Sequence, residues 1–400
     1  MIKHKGFNAW MTLLALSLAC SFRAPQTSDG SVRVVGRETP LDKLNKSERV
    51  LAIVDAYSQH EGIFWLDLDN HTLHLAKQPK VKSALDGKTY DMIIEPGMTR
   101  WTGETFIYGD RLSGFFSLAS DNSVRQLSDY GYIGSLADNG RQILRFFKCG
   151  PDGQSSGWEI TPLDLPAGES GYCFISKNTD RADAWVSVVP IWNTYLPRVD
   201  FIVSERLGRG SNITVQSTKL MRAVDGGGLV EIADLGVDFR VNECCTVIPR
   251  PDGGAYLIAD RTRGAVHVID SGGSLLADLS VINEQFPELE MSLQVSWAPD
   301  SRQAILAFRD KGCRGDCPWI LIHASNDFQS FRKLIALPPE MQHARTVIWS
   351  PDSAYAAIVA DIHDGAGFPP RILTINLQDG STADYVLRFQ SILRDVHWVR

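Results

Sequence analysis

The chain repeats one short motif near its C-terminal end, and the interval between the two copies limits the fold. Val-Ser-Trp-Ala-Pro-Asp-Ser occupies residues 295–301 and Val-Ile-Trp-Ser-Pro-Asp-Ser occupies residues 347–353, a period of 52 residues. An apolar strand pattern follows each copy, at residues 303–308 and 355–359. Such an interval accommodates four short strands but not a domain, and a fixed period of this size is typical of propellers and solenoids.

Both copies of the motif have the pattern of a strand followed by a tight turn. A short strand ends in Trp, which offers a large apolar surface for packing. The Pro-Asp-Ser turn then reverses the chain, because Pro presets φ and the Asp side chain can bond the backbone two residues on. Weaker copies precede the two clear ones, and the positions that we align are Ile94, Ser135, Trp192, Pro249, Trp297 and Trp349.

The two ends of the chain complete one more unit. Residues 395–400 form a first strand, whereas residues 49–54 have the pattern of a second strand, followed by a third and a fourth at 63–67 and 73–75. Pairing of the C-terminal strand with this N-terminal set closes a ring and leaves no open sheet edge. The sequence therefore predicts an all-β chain, a seven-bladed β-propeller over residues 48–400, with six or eight blades as alternatives.

The Trp-Ser/Ala-Pro-Asp-Ser turns resemble the WD-like repeats of TolB-type periplasmic propellers and of the propeller halves of prolyl oligopeptidases. The motif is clear at residues 297–301 and 349–353, and its usual Pro-Asp-Gly form is found at residues 251–253. The resemblance implies a rigid ring that binds partners through surface loops. Since propellers host many functions, it is informative about architecture and not about the ligand.

The first residues have the pattern of an export signal. Lys3 and Lys5 precede an apolar stretch at residues 10–18 that is too short to span a bilayer as a mature helix. We therefore expect residues 1–19 to be a signal peptide and the protein to be exported, to the periplasm or to a membrane surface.

Cys20 is the expected site of a lipid anchor. It directly follows Ala19, as in a bacterial lipobox, although Ser17 stands where such motifs usually have Leu. Residues 20–47 are polar and lack hydrophobic periodicity, so we expect a flexible tether between the lipid and the propeller. Ordinary secretion and a retained anchor are the alternatives.

The remaining six cysteines are an even number, as expected in an oxidising compartment. Cys313 and Cys317 flank a short loop and are the first predicted disulfide. Cys149 and Cys173 are the second candidate pair, because a bond between them would tie strands of one blade together.

Cys244 and Cys245 are adjacent, so within a strand their side chains would point to opposite faces. We expect at most one of them to have a distant partner, and burial as small apolar residues is the alternative. No second Cys or His pair lies nearby at ligand spacing, so we expect no metal and no cofactor.

Charge and motifs limit the classes of function. The formal net charge is −7, which argues against a nucleic-acid partner and favours a soluble, monomeric protein. Ser155 lies in a Gly-x-Ser-x-Gly sequence, but no strand-to-helix context or triad accompanies it, so we expect no catalytic residue there. Asp252, Asp300 and Asp352 recur from blade to blade and are expected to stabilise turns.

Three loops depart from the repeat, at residues 208–212, 312–319 and 365–370, each between the second and third strands of a blade. Loops on one face of a ring commonly form its binding face, and Trp and Arg are well suited to contact a partner. The residues that we predict to contact a partner there are Arg209, Arg314, Asp316, Trp319 and Phe368.

The expected function is therefore binding without catalysis. The propeller would recognise a protein, peptide or glycan partner in the cell envelope through these rim loops. The alternative is a propeller enzyme, a lyase or a glycoside-active protein, with a site in the central channel built from single residues of several blades. A third hypothesis is a purely structural role in the cell envelope.

Overall fold

The computed structural model describes most of the chain beyond residue 30. The described residues are 31–44, 47–55, 62–82, 88–95, 97–110, 113–128, 134–149, 155–163, 172–174, 184–196, 198–208, 213–224, 228–241, 243–314, 317–324, 328, 330–341, 344–360, 369–387 and 393–400. The expected signal peptide and Cys20 lie outside them.

Strands dominate these residues, with one short α-helix and two 3-10 helices. In chain order the strands are β1 Arg33–Val35, β2 Val50–Asp55, β3 Gly62–Asp67, β4 Thr72–Lys77, β5 Lys80–Lys82, β6 Thr89–Asp91, β7 Thr99–Trp101, β8 Thr105–Asp110, β9 Gly114–Ala119, β10 Val124–Ser128, β11 Gly134–Leu136, β12 Gln142–Cys149, β13 Ser155–Pro162, β14 Tyr172–Phe174, β15 Ala184–Asn193, β16 Arg198–Leu207, β17 Thr214–Val224, β18 Gly228–Asp234, β19 Cys245–Pro249, β20 Ala255–Asp260, β21 Ala265–Asp270, β22 Leu275–Asp278, β23 Leu289–Trp297, β24 Ala304–Asp310, β25 Ile320–Ala324, β26 Phe331–Ala336, β27 Ala344–Trp349, β28 Tyr355–Ala360, β29 Arg371–Asn376, β30 Thr382–Val386 and β31 Leu393–Trp398. The 3-10 helices are Leu41–Leu44 and Pro339–Met341, and α1 is Val281–Gln285.

Seven sheets form the blades of a β-propeller. Six of them contain four strands that follow one another along the chain: β7 to β10, β11 to β14, β15 to β18, β19 to β22, β23 to β26 and β27 to β30. First strands of neighbouring blades contact one another, as β15 does β19, β19 does β23 and β23 does β27, so these strands surround the axis. The predicted all-β, seven-bladed fold is confirmed, and β5 and β6 add a two-stranded hairpin between the first two blades.

The remaining blade is completed by both ends of the propeller. Its strands are ordered β31-β2-β3-β4-β1, so the last strand of the chain is the innermost one. β31 is antiparallel to β2, with Leu51 opposite Trp398 and Ile53 opposite Val396. The predicted closure of the ring is confirmed.

Part of the expected tether lies against this first blade. β1 pairs with β4 in parallel at the outer edge of the sheet, and Val32 is buried beside it. Leu41 and Leu44, on the first 3-10 helix, are buried between the first two blades. The propeller therefore includes residues before position 48, where the tether of residues 20–47 was predicted to end. The part of that tether before residue 31 lies outside the described residues and stays a prediction. Among the described residues, no helix has the length and apolar character needed to cross a bilayer.

Two of the aligned sequence positions were wrong. Ile94 precedes the innermost strand of the second blade, where Met98 N donates to Glu95 O (3.1 Å) and turns the chain, and Trp101 ends that strand instead. In the third blade Leu136, not Ser135, holds the position that Trp297 holds in the sixth, since each pairs with the residue seven positions later.

Apolar residues gather between blades rather than within them. The described residues form seven core clusters, and each lies between two consecutive blades. β24 illustrates the reason, because Leu306 and Phe308 face the fifth blade whereas Ile305 and Ala307 face the seventh. The second strand of a blade is packed on both faces, which explains its continuous apolar sequence.

The Pro-Asp turns join the first and second strands of a blade and also join neighbouring blades. Asp252 and Asp300 each accept a hydrogen bond from the backbone N–H two residues on, both at 2.8 Å, and Asp352 does so at 3.0 Å. The predicted turn role of these carboxylates is confirmed. In addition, Asp252 N donates to Ser301 Oγ (3.0 Å) and Asp300 N donates to Ser353 Oγ (3.3 Å), so each turn is bonded to the next blade.

Candidate functional site

A cavity of about 910 Å³ lies at the centre of the ring. Its wall is formed by innermost strands and by the turns that follow them, so it opens on the face of the Pro-Asp turns. Residues from six blades contribute, and those with polar or aromatic side chains used below are Arg100, Asp138, Tyr195, Trp297, Arg345, Trp349, Asp395, His397 and Trp398.

One side of the channel is a chain of polar groups across the second, third and fourth blades. Arg100 Nη1 lies 2.7 Å from Asp138 Oδ1, and Thr194 Oγ1 donates to Asp138 Oδ2 at 3.1 Å. Asp138 N also donates to Thr194 O at 2.7 Å, which holds the two turns together. Burial raises the pKa of Asp138 although Arg100 acts to lower it. The phenol of Tyr195 keeps its proton at neutral pH. Tyr195 is therefore a neutral hydrogen-bond donor, and 48% of its surface is exposed.

The closing strand contributes a second polar group to the wall. Thr99 Oγ1 lies 2.8 Å from Asp395 Oδ2 and 2.7 Å from His397 Nε2, and Gly97 N donates to the same carboxylate oxygen at 3.0 Å. Because a hydroxyl has a single proton, Thr99 donates to Asp395 and accepts from Nε2–H of His397. Burial and the nearby Arg100 lower the pKa of His397 to about 3, so its ring is neutral.

His397 is therefore a packed residue of the closing strand. Its ring is edge-on to Phe106, with centroids 5.7 Å apart. A neutral imidazole that already donates its proton to Thr99 holds β31 against the second blade and is poorly placed to act as a general base.

The tryptophans around the channel join blades and are not free for a ligand. Trp297, Trp349 and Trp398 are between 5% and 7% exposed. Trp349 Nε1 donates to Ser296 Oγ (3.0 Å), and Ser296 in turn donates to Val347 O (3.1 Å). Arg345 also lines the cavity, and it is exposed there.

The predicted rim loops lie on the opposite face from this opening, since they connect second to third strands whereas the Pro-Asp turns connect first to second. Arg314 is exposed there. Trp319 was wrongly predicted as a contact residue, because it is 3% exposed and packs between the sixth and seventh blades. Arg209, Asp316 and Phe368 lie outside the described residues, so their role stays a prediction.

The cysteines fall into three pairs. Cys313 and Cys317 are placed for a disulfide, with Cα atoms 6.2 Å apart, a separation within the disulfide range. Cys149 ends β12 and Cys173 lies on β14 of the same blade, and their pairing stays a prediction. Among the described residues, one group offers three metal-ligand atoms close together: Cys244, Cys245 and Asp260, whose ligand atoms lie within 4.8 Å of one another.

Sequence reasoning missed the channel residues. Arg100 directly precedes the Trp of its innermost strand, as His397 does in β31. Asp138 and Tyr195 follow their own innermost strands by two residues each. A search for polar side chains at these offsets, blade by blade, could have found them once the blades were aligned correctly.

No protein-family model matches the sequence, and no curated protein is similar to it. Solved propellers are similar in fold. Oligogalacturonate lyase from Vibrio parahaemolyticus shares 10% identity at a TM-score of 0.48, with 76% of this chain and 83% of that chain aligned. The periplasmic gluconolactonase of Pseudomonas aeruginosa shares 14% at 0.45 (88% and 99%), and a protein assigned as TolB from Agrobacterium tumefaciens shares 11% at 0.37 (76% and 95%). At these levels of similarity the matches carry no argument about activity.

Proposed function

We propose that the protein is a binding propeller whose ligand occupies the central channel. The observation that carries this proposal is the cavity itself, about 910 Å³, into which Arg345 and Tyr195 present exposed polar groups. A cationic guanidinium and a neutral phenol suit a ligand that carries a carboxylate and hydroxyl or amide groups. The ligand class that fits is the acidic end of a peptide or a glycan.

Binding is favoured over catalysis because the titratable groups of the wall are engaged with one another. Asp138 is paired with Arg100 and Thr194, and Asp395 accepts from Thr99. Such a wall is rigid and prearranged, which lowers the entropic cost of binding. We therefore propose that the ligand contacts the channel and not the rim loops.

The test compares two exposed arginines on opposite faces of the ring. Arg345→Ala alters the channel, and Arg314→Ala alters the rim loop of the sixth blade. Binding of acidic oligosaccharides and of short peptides with free carboxyl ends would be measured by titration calorimetry. Loss of one charged hydrogen bond should weaken channel binding at least about tenfold in Arg345→Ala.

Arg314→Ala should bind as the wild type does. The reverse result, with Arg314→Ala impaired and Arg345→Ala unaffected, would return the contact surface to the rim loops. Equal affinity of both variants and the wild type would refute a role for either arginine.

Catalysis in the channel is the second candidate, and the raised pKa of Asp138 favours it. A carboxyl that keeps its proton more easily than usual can act as a general acid. If a bound ligand is converted, Asp138→Asn should abolish turnover while binding persists. If the ligand is recovered unchanged from the wild-type protein, the binding proposal stands.

We further propose that the protein is exported and held at a membrane by a lipid on Cys20. The charged and apolar pattern of residues 1–19 supports export, and Cys20 after Ala19 supports lipidation. Expression with a labelled fatty acid should label the wild type and leave Cys20→Ser unlabelled in the soluble fraction. Equal labelling of both proteins would exclude Cys20 as the acylated residue.

A further inference from the structure

Two adjacent cysteines face each other where the fifth blade begins. Cys245 is the first residue of β19, and Cys244 lies in the turn before it. Their Sγ atoms are 2.6 Å apart. The expectation that these side chains point to opposite faces was wrong, because both backbone N–H groups donate to Arg240 O (3.2 Å each), and this turn is not extended.

The two thiols differ in accessibility and in acidity. Cys245 is fully buried, whereas Cys244 is partly exposed. Burial raises the pKa of Cys245, and its hydrogen bond with Cys244 adds to the rise. At Cys244 burial acts in the same direction but is outweighed by hydrogen bonds with Cys245 and Thr262, so the pKa is lowered. Cys244 is thus the thiol that an external reactant can reach, whereas Cys245 is not.

A buried carboxylate adjoins the inner thiol. Cys245 Sγ lies 3.6 Å from Asp260 Oδ1, and Asp260, the last residue of β20, is 4% exposed. Arg263 N donates to the same oxygen at 3.2 Å, and Arg263 Nη1 lies 3.4 Å from Oδ2. The carboxylate is held in position to accept the proton of Cys245.

A cavity of about 340 Å³ opens beside this carboxylate, between the fourth and fifth blades. Phe239, Asp260 and Arg263 are among its lining residues. Neither cysteine lines this cavity, so Asp260, which contacts Cys245, is what connects it to the pair. Arg263 suits a reactant that carries a carboxylate.

We propose that Cys244 and Cys245 form a thiol–disulfide exchange site that reacts with small external disulfides. The Cys244 thiolate attacks one sulfur of the external disulfide, which forms a mixed disulfide and releases a thiolate. Cys245 then attacks Cys244 Sγ, its proton passes to Asp260 as the S–S bond forms, and the second thiolate is released. Two protein thiols thereby lose two electrons and two protons, and the external disulfide is reduced to two thiols.

The position of the pair argues for exchange rather than for stabilisation. A disulfide stabilises a fold mainly by closing a loop in the unfolded chain, and the effect grows with loop length. Adjacent residues enclose no loop, so a Cys244–Cys245 bond constrains the unfolded chain very little. Its formation needs no movement of strands, because the sulfur atoms are already close.

The test follows the tryptic peptide that begins at Val241. This peptide contains Cys244 and Cys245 and no other cysteine before Arg261. Reduced full-length protein would be incubated with oxidised glutathione, denatured, alkylated, digested and weighed by mass spectrometry. The proposal expects an unalkylated peptide two hydrogens lighter than the dithiol, which becomes doubly alkylated after reduction.

Three results would overturn the proposal. The first is a doubly alkylated peptide after oxidation, and the second is a bond from either cysteine to one elsewhere in the chain. The third is a bound metal ion retained by two reduced thiols. None of these outcomes depends on the channel, so the result is independent of the proposed binding function.

Single substitutions show which cysteine attacks the external disulfide and which one resolves the mixed disulfide. Cys245→Ser should accumulate the glutathione adduct on Cys244, because the resolving thiol is missing, and Cys245→Ala serves if the serine variant does not fold. Cys244→Ser should form no adduct over the same time, because Cys245 is buried. An adduct on Cys245 at the wild-type rate would contradict the assigned roles.

Asp260 is proposed as a positioning residue and proton acceptor, so its test separates the two steps. Asp260→Asn keeps an oxygen to accept from Arg263 N but is a poor base, and should slow closure of the mixed disulfide several-fold without slowing its formation. Asp310→Asn is the matched control, since Asp310 ends β24 as Asp260 ends β20. Equal slowing of both steps would indicate a structural role only.

Discussion

The hydroxyl of Tyr256 lies among three charged side chains at the junction of the fourth and fifth blades. It donates to Asp200, which is 1% exposed, and accepts from Arg222 Nη2 (2.9 Å) and Arg198 Nη2 (3.2 Å). Burial raises the pKa of Tyr256 to about 12, and Asp200 adds to the effect, so the phenol keeps its proton. The buried carboxylate of Asp200 thus has one neutral donor from the next blade, in addition to ion pairs with Arg198 (3.3 Å) and Arg222 (3.5 Å) of its own blade.

We expect Tyr256→Phe to destabilise the protein by about 1–3 kcal/mol, the usual cost of leaving a buried polar partner unsatisfied. The free energy of unfolding would be measured in urea. Tyr355→Phe is the control, because Tyr355 contributes a ring stacked on Trp398 at 6.1 Å, and that ring is retained. Equal stability of Tyr256→Phe and wild type would show that Asp200 finds other donors.

His397 should make stability depend on pH. Its pKa is 6.5 when exposed and about 3 in the folded protein, so between these values the unfolded chain binds a proton that the folded chain does not. Stability conferred by the neutral ring is therefore present above about pH 6.5 and falls with pH, by up to about 1.4 kcal/mol per unit.

We expect His397→Gln, which can still donate to Thr99, to reduce this dependence. The difference between the free energies of unfolding at pH 7 and pH 5 should be smaller in the variant by about 1–2 kcal/mol. Parallel curves for the variant and the wild type would mean that His397 already titrates in the folded state.

At the scale of the element, the Pro-Asp turn recurs in three blades, and the backbone φ is positive at one of its positions. Ser301 and Ser353 have φ of 61° and 59°, and Gly253 occupies the equivalent position at φ +70°. A residue with a Cβ is disfavoured there, and Gly is not. Serine is retained although strained, and its Oγ accepts the bond from the preceding blade.

Two substitutions at Ser301 separate backbone strain from the interblade bond. Both remove the oxygen that accepts from Asp252 N, but only Ser301→Ala keeps the Cβ. Ser301→Ala should be less stable than Ser301→Gly by about 1 kcal/mol. A Gly variant no more stable than the Ala variant, measured by urea unfolding, would argue that the left-handed conformation costs little here.

These turns were predictable from sequence because Pro, Asp and a small residue act locally, through φ and through bonds to the next two residues. The second blade was misaligned for the opposite reason. Its innermost strand, Thr99–Trp101, has three residues, and the more apolar Ile94 before it is buried by contacts with another blade. Burial of that kind depends on tertiary packing and leaves no local periodicity.

The channel could not be predicted in the same way. Its polar wall joins Arg100, Asp138, Tyr195 and His397, which belong to four blades and are far apart in the chain. Their offsets from the innermost strands become visible only when the blades are aligned correctly, and their proximity is produced by closure of the ring. The rim loops, in contrast, are conspicuous in sequence, and this favoured them as candidates although Trp319 proved to be a core residue.

At the scale of the whole molecule, closure depends on β31. Leu393, Val396 and Trp398 are buried in the cluster between the seventh and first blades. Their strand also gives β2 its second hydrogen-bonding partner. Without it the first and seventh blades lose three buried residues of their shared core, and the ring is open.

We expect a chain ending at Leu387, which lacks β31, to lose its single cooperative unfolding transition. Circular dichroism during urea unfolding would detect this as a broad transition at lower denaturant. A chain lacking residues 1–30 is the control and should unfold as the full chain does. A wild-type midpoint in the chain ending at Leu387 would mean that closure contributes little to stability.

The first blade is synthesised early, but the strand that completes it, β31, is synthesised last of all the strands. β2 leaves the ribosome almost 350 residues before its inner partner Trp398 does. At translation rates of about 5–20 residues per second, the inner edge of β2 and the apolar face toward the seventh blade stay uncovered for roughly 20–70 s. A protein built in this way needs protection throughout its synthesis or its passage across a membrane, and it becomes safe from aggregation only when its last few residues arrive.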